Sequence, residues 1–448
     1  MTERQARTAK IKEKTNGTDF SFATHLTDAA IKHFGTTHVK GYQEFLDSIY
    51  GVPIHNNLAL QYLVGVDVIP LGRLINVVGP FGVTKSNFCW YLASLFLRYG
   101  GYVANIDSER KGNPDQVHNL LKTYLNFDQL PDPREWFAWE PVETLDLLLD
   151  FNVWYVKQLE AAKAETGKNI NKPVLLLNDS LGSVTSEEAG EKRMNEDDIS
   201  GFSAARNAAK LSEDMQVFGP RLSELPLTAL FINHQKVKLA QQGAPGRPAY
   251  LPPQKSEKGG DHQRFAYTWI FELNRTGSDK ILEDGVQVKY PKFRFTMKKN
   301  ATGSERPYID VPYKYLWKGD TDGSELIWYD WNASLVLLLT NDQILNKDEV
   351  RAVVDITIKK GGGKLPQGKT GRYCSDRLGL DGVSITELGA AIHRDPVLVQ
   401  ELQDKVLRIR RKKSHGILLE GIDRDQLLNA FPNTGEEDPG EESGDQPG

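Results

Sequence analysis

From Arg73 to Asn233 this chain alternates short, uninterrupted apolar runs with longer amphipathic segments, and that alternation leaves few folds open to it. The runs are RLINVVG (73–79), GYVANID (101–107), KPVLLLND (172–179) and LTALFIN (227–233). They are rich in Val, Ile and Leu and lack polar alternation, as strands buried on both faces of a parallel sheet require. The segments SNFCWYLASLFLRYG (86–100), TLDLLLDFNVWYVKQLEAAKAE (144–165) and SAARNAAKLSEDMQVFGPRLSEL (203–225) carry helical patterns. Strand and helix in repeated succession predict an α/β core around a mainly parallel sheet. Beyond residue 265 the stretches FAYTWIFELNR, VQVKYPKFRFTMKKN and YIDVPYKYLW alternate apolar and polar residues, with turn signals at Thr276-Gly277 and Asp284-Gly285. They predict an antiparallel extension of the sheet. The expected division is an N-terminal unit over 1–68, the core over 69–316, a C-terminal unit over 317–432 with helices near 380–410, and a tail over 433–448.

Two segments compete as a phosphate-binding loop. Gly363-Lys-Leu-Pro-Gln-Gly368-Lys369-Thr370 matches the GxxxxGK[ST] pattern in full, whereas Gly79-Pro80-Phe81-Gly82-Val83-Thr84-Lys85-Ser86 has Thr84 where the pattern has its last Gly. Such a loop works only if a strand delivers it and a helix follows whose first amides face the phosphates. Residues 363–370 have neither neighbour in the sequence, and Pro366 removes an amide donor. Residues 79–86 have a buried strand before them and an apolar helix after them. Context therefore favours the imperfect match and leaves 363–370 as a basic loop. Thr84 is a real departure, because a β-branched residue restricts a backbone position that Gly leaves open.

Three further strand ends carry polar groups. The second ends Ile106-Asp107-Ser108-Glu109, the third ends in Asp179, and the fourth ends Asn233-His234. Open α/β sheets bind ligands at the carboxyl edge of their strands, so these groups are expected at one place. There Asp179 suits Mg2+ held through water, and a carboxylate such as Glu109 can orient or deprotonate an attacking water.

These residues make the chain similar to the RecA family of recombinases, most closely its phage UvsX-like branch, over about 72–315. GPFGVTKSNF resembles the phage nucleotide loop, in which the Gly before the Lys is also replaced by a bulkier residue. IDSERKGNP resembles the segment bearing the water-activating glutamate, LLLNDSLGSV the metal-binding strand, and ALFINHQ the strand whose last residue senses the γ-phosphate. The resemblance implies a RecA-type P-loop ATPase using ATP and Mg2+. Gly79, Pro80, Gly82, Thr84, Lys85, Ser86 and Asn113 would contact the nucleotide, and Ser86 and Asp179 the metal, with Lys85, Glu109 and His234 in catalytic roles. Gln116 stands where bacterial members have an aromatic residue against the adenine. Two polar loops, about 184–202 and 235–260, match those that contact DNA, with Arg206, Lys236, Lys238, Gly259 and Gly260 at contact positions. Arg264, Lys298 and Lys299 match places from which one protomer reaches the ATP of its neighbour. The resemblance implies partners in single-stranded DNA, duplex DNA during exchange, and further copies of the chain in a helical filament assembled partly through the N-terminal unit. A single-strand-binding protein and a loader are further expected partners, and the C-terminal unit is expected to bind DNA. A hexameric helicase and a non-hydrolysing filament or mediator protein on the same core are the alternative readings.

Charge is unevenly placed. The 448 residues carry a formal net charge of -5, yet Glu436, Glu437, Asp438, Glu441, Glu442 and Asp445 crowd the last fifteen positions, and without them the balance is +1. Residues 405–413 and 359–377 each carry six bases. Cys89 and Cys374 are too few for a disulfide framework or a zinc site. The N-terminal sequence lacks a signal-peptide pattern, and no apolar run approaches the ~18 residues of a membrane helix, so a soluble cytoplasmic protein without membrane partners is expected. An anionic tail competes with DNA for nearby basic surface. Deleting 434–448 is therefore predicted to raise affinity for a labelled oligothymidylate, measured by fluorescence anisotropy, and to flatten its salt dependence. An unchanged isotherm would remove the tail from the account.

Overall fold

The computed structural model describes residues 51–110 apart from 56, positions 117 and 121, and 137–166, 172–181, 183–184 and 202–238. It also describes 254–257, 263–283, 286–302, 307–317, 325–340, 353–359 and 372–413. All of these fall within one of the chain's two compact units, Gly51–Leu418 with Leu428–Gly448. Residues 1–50 of the expected N-terminal unit, the acidic tail, Asn113, Gln116, Gly259 and Gly260 lie outside the described residues.

The apolar runs become strands because neither of their faces tolerates water. Strands β3 (Leu74–Gly79), β4 (Tyr102–Asp107), β6 (Val174–Asp179) and β7 (Leu227–Lys238) pair in parallel in the order β3-β7-β6-β4, and every residue of β3 is buried. A strand absent from the sequence reading, β5 (Phe137–Pro141), adds in parallel to β4. Its Phe-Ala-Trp-Glu-Pro sequence makes no uninterrupted apolar run, and as an edge strand it remains partly exposed. On the other side β9 (Trp269–Glu283) joins β3 in parallel, then β10 (Val286–Asn300), β11 (Tyr308–Trp317) and β12 (Glu325–Tyr329) continue antiparallel. With β8 (Gln254–Glu257) on β7, the sheet has ten strands. The molecule is thus α/β with a mainly parallel central sheet and an antiparallel extension.

Two expectations need correction. Thr276-Gly277 is not a turn: β9 runs through it, and the register shift opposite Lys292 and Phe293 absorbs the extra residue as a bulge. The stretch 235–260, read as a loop, starts and ends in a ladder, with Gln235 opposite Glu257 and Lys238 opposite Gln254.

Ordered elements continue past both expected boundaries of the core, on the C-terminal side as part of the same sheet and on the N-terminal side as a separate two-stranded one. Strand β12 lies beyond 316 and pairs Tyr329 with Tyr313, followed by a mostly buried helix, Trp331–Thr340. Before residue 69, β1 (Gly51–Pro53) pairs with β2 (Val68–Pro70), and helix α1 (Leu58–Val64) is buried along its whole length. Asn57 caps α1 by accepting from the Leu60 amide at 2.9 Å, and Gly65 closes it in the left-handed region.

Helix α2 (Lys85–Arg98) covers one face of the sheet; α3 (Leu145–Thr166) and α4 (Phe202–Leu222) cover the other, closing over Leu74, Ile106, Leu176 and Phe231. Short helix α5 (Gln263–Ala266) leads into β9. The C-terminal segment supplies α6 (Trp331–Thr340), the small sheet β13 (Ile356–Lys359), β14 (Arg372–Ser375) and β15 (Leu380–Val383), then α7 (Ile385–Arg394) and α8 (Pro396–Lys413). Lys359 pairs with Arg372, so residues 360–371, which include the whole of the fully matching loop motif, join two antiparallel strands, and a strand rather than a helix comes next. Among the described residues no helix is long and apolar enough to cross a membrane.

Helix α7 starts on a capping box made by Ser384 and Glu387, and the Thr386 hydroxyl donates to Asp330 at 2.6 Å. Gly389 faces α6 so closely that a Cβ there would sit 2.3 Å from the Asn332 carbonyl oxygen. In an exposed helix interior Gly→Ala gains about 1 kcal/mol, but overpacking of this kind costs about 1–3 kcal/mol. Gly389→Ala is accordingly predicted to lower stability in urea denaturation, and an increase would contradict the packing described for α7.

Candidate functional site

Sheet register brings the polar strand ends to one level. Gly79 pairs with His234 across β3 and β7, and Asp107 pairs with Asp179 across β4 and β6. Residues 80–84 leave β3 and turn into α2. Gly79 can only be glycine, since a Cβ would lie 2.4 Å from the Leu273 carbonyl oxygen. Gly82 adopts φ 71° and Thr84 φ 59°, ψ 30°, both left-handed. For a β-branched residue this conformation costs about 1–2 kcal/mol. Thr84 gives α2 no side-chain cap, and its hydroxyl donates instead to the Val83 carbonyl at 2.7 Å.

The loop borders a cleft of about 380 Å³ lined by Lys85, Ser86, Asp107, Glu109, Asp179 and His234, among others. Lys85 is 5% exposed and its ammonium donates to the carbonyls of Gly79 (3.1 Å) and Pro80 (2.8 Å). Burial pushes its pKa down, against the pull of Asp179, Cys89 and Glu109. His234 bridges Lys85 and Glu109: Nδ1 lies 3.2 Å from Lys85 Nζ and Nε2 lies 2.9 Å from Glu109 Oε1. The tautomer that suits both contacts carries its proton on Nε2, accepting from the ammonium and donating to the carboxylate. The same Glu109 oxygen accepts from the Ser180 hydroxyl at 2.9 Å.

The turn that presents Glu109 is held from below. Asp107 Oδ1 accepts from the amides of Glu109 (3.0 Å) and Arg110 (2.9 Å), and Ser108 Oγ donates to the Ser180 carbonyl at 2.8 Å and accepts from the Ser180 amide at 2.8 Å. Ser86 Oγ donates to Asp179 Oδ2 at 2.7 Å. Burial raises the Asp179 carboxyl to about 6; the Ser86 hydroxyl opposes the shift, Glu109 and Asp107 add to it, and His234 opposes it. Among the described residues no group of three or more His, Cys, Asp or Glu side chains gathers as a metal site. One hydroxyl and one carboxylate in contact do fit Mg2+, which keeps several waters and takes further oxygens from phosphate.

The structure therefore brings together Gly79, Pro80, Gly82, Thr84, Lys85, Ser86, Glu109, Asp179 and His234. It places Lys236 and Lys238 on β7 just past His234, and Arg206 within α4, away from the loop in sequence. The Arg264, Lys298 and Lys299 side chains do not line the cleft. Lys298 pairs with the buried Glu272 at 2.8 Å, and Lys299 donates to the carbonyls of Arg264 (2.8 Å) and Phe265 (2.9 Å).

Sequence reasoning missed several lining residues. Phe81, 75% exposed at the loop tip, stacks on the His234 ring with centroids 4.1 Å apart. Trp90 on α2 and Trp139 on β5 lie with centroids 6.2 Å apart and near-parallel planes, beside Asn105, whose buried Oδ1 has no hydrogen-bond partner among the described residues. Only the helical and strand spacings that point Trp90 and Asn105 inward hinted at them, and those spacings also fit ordinary core.

Compared with protein-family models the chain matches none, and no curated protein matches it.

The raised Asp179 pKa makes a signed prediction for the protein free of nucleotide and metal. A folded pKa above the ordinary ~3.9 means that the residue's stabilising contribution is present below about pH 4 and is lost as pH rises through about 6. Asp179→Asn keeps the acceptor for Ser86 and removes the titration. It is predicted to raise the denaturation midpoint at pH 7.5, with the gain shrinking as pH falls through 6. A loss of stability at pH 7.5 would show that Asp179 is a structural charge.

Proposed function

We propose that this chain is a RecA-type ATPase that binds single-stranded DNA and assembles on it as a helical filament, in homologous recombination, repair and recombination-dependent replication. The observation that carries the reading is the chain of contacts from Lys85 through His234 to Glu109 at the mouth of a strand–loop–helix phosphate site.

Lys85 donates to the loop's own carbonyls, and the β- and γ-phosphates of ATP would take the place of those acceptors. Ser86 and Asp179 would hold Mg2+, which supplies charge neutralisation at the phosphates. Glu109 would take the proton of a water that attacks the γ-phosphorus, with ADP as the leaving group and inorganic phosphate as the product. It is engaged by both His234 and Ser180, and it becomes available as a base only when His234 turns toward phosphate. Because His234 continues along β7 into the β7–β8 ladder bearing Lys236 and Lys238, the phosphate state reaches the DNA-contact segment through one continuous strand. Lys298 and Lys299, held on β10, would serve the ATP of an adjacent protomer after leaving their present partners.

Phosphate release measured with and without single-stranded DNA tests the reading. Wild type should show DNA-stimulated turnover and, with an ATP analogue, filaments in negative stain. Lys85→Ala should lose nucleotide binding. Glu109→Gln should keep binding and lose about 100-fold or more of turnover. Intact turnover in Glu109→Gln would overturn the mechanism, and closed six-fold rings would replace the recombinase with a helicase.

A further inference from the structure

The structure assigns a positioning role at the phosphate loop to Tyr329, a residue of β12 nearly 250 positions downstream. The inference rests on the reading of 79–86 as a nucleotide loop. Its starting point is Thr84, the residue that departs from the phosphate-loop pattern. Thr84 stands immediately before Lys85 and Ser86, in a left-handed conformation that a β-branched side chain resists. Its own hydroxyl is turned back onto Val83 and gives the helix no cap. Something else must hold the turn.

The Tyr329 hydroxyl lies 2.6 Å from the Thr84 carbonyl oxygen and 2.7 Å from Thr84 Oγ1. It donates to that carbonyl, which also accepts the first helical bond of α2, from the Phe88 amide at 3.1 Å. One phenol thus reaches both oxygens of the strained residue, with its single proton on the carbonyl.

The phenol is itself held in place. Tyr329 is 2% exposed, and its ring packs among Phe295, Tyr313 and Trp331 with centroids 5.0–5.7 Å apart. Tyr313, its partner across the β11–β12 ladder, hydrogen-bonds the Asn87 side chain on the same first turn of α2. Two neighbouring tyrosines of the antiparallel extension therefore grip the start of the helix that carries Lys85 and Ser86. The residue after Tyr329 ties this grip to the C-terminal helices. Asp330 caps α6 by accepting from the Ala333 amide at 2.9 Å, and it accepts from Thr386 of α7 at 2.6 Å. The C-terminal segment thereby completes the phosphate loop rather than merely following it. A glycine before the Lys would need no such clamp, because it enters the left-handed region without strain. The pairing of Thr84 with the Tyr329 hydroxyl replaces that freedom with a contact.

A double-mutant cycle on the full chain tests this, using Tyr329→Phe, Thr84→Gly and the double variant. Two quantities are read: affinity for the fluorescent probe N-methylanthraniloyl-ATP with Mg2+, and the urea midpoint of the nucleotide-free protein. Tyr329→Phe alone keeps the ring and removes only the hydroxyl. It should weaken probe binding about three- to tenfold and lower the urea midpoint. In the Thr84→Gly background the bond to the residue 84 carbonyl is still removed, but the left-handed turn no longer depends on it, so the same substitution should cost distinctly less in both affinity and midpoint than it does in wild type. Equal losses in both backgrounds would mean that the hydroxyl serves general packing and would overturn the clamp. So would no loss from Tyr329→Phe alone. If wild type fails to bind the probe, the nucleotide reading falls, and the urea cycle still decides the clamp: coupling of the two positions upholds it and additivity overturns it.

Discussion

A buried ammonium sets the terms for the rest of this site. Lys85 is almost wholly removed from water, and a charge in that position is tolerable only with fixed acceptors around it. Two of these are carbonyls of its own loop, which face inward only because Gly79 lets β3 pass against Leu273 without a side chain between them. The third is the His234 ring, at the right height only because β3 and β7 pair with Gly79 opposite His234. The register of a parallel sheet thus decides whether the cation is paired, and the cation in turn holds the loop closed. The same register sets Asp107 opposite Asp179, so that acids and cation meet at one edge.

This edge gathers more carboxylate than a stable core would choose. Glu109, Asp107 and Asp179 crowd together, and burial makes the Asp179 charge costly enough to lift its pKa to about 6. Such a cluster is destabilising by itself, and under the proposed function a cation and a polyphosphate would offset that cost. The groups concerned already hold one another: Lys85 on carbonyls, Glu109 on His234 and Ser180, Asp179 on Ser86. The Lys85 and Glu109 contacts would be surrendered in the proposed chemistry, which would couple ligand binding to rearrangement at the site.

Much of this was legible in the sequence wherever local pattern and tertiary role coincide. The four apolar runs form buried parallel strands because nothing else buries both faces, and the polar residues at their ends follow them to the carboxyl edge. The strand before 79–86 and the helix after it were legible for the same reason, as was the lack of a helix after 363–370. The edge strand β5 was not legible, because five mixed residues at a half-exposed edge carry no periodic signal. The bulge at Thr276 was hidden because Thr-Gly ordinarily breaks a strand, and only the β10 ladder shows that it does not. Tyr329 was hidden most completely. Its contact with Thr84 spans the antiparallel extension, and no local feature of ELIWYDW distinguishes a tyrosine that holds a loop from one that fills a core. The C-terminal boundary drawn at 316 concealed it further, since the strand that bears it lies beyond that line.

The central claim is that the loop at 79–86 exists to exchange its own carbonyls for phosphate. A crystal structure of the full chain with Mg2+ and a non-hydrolysable ATP analogue measures this directly. The account predicts β- and γ-phosphates on the amides at the start of α2, with Lys85 Nζ moved from the Gly79 and Pro80 carbonyls onto phosphate oxygen and His234 turned away from Glu109. Nucleotide bound elsewhere, or phosphates at the loop with Lys85 still on its two carbonyls, would contradict it.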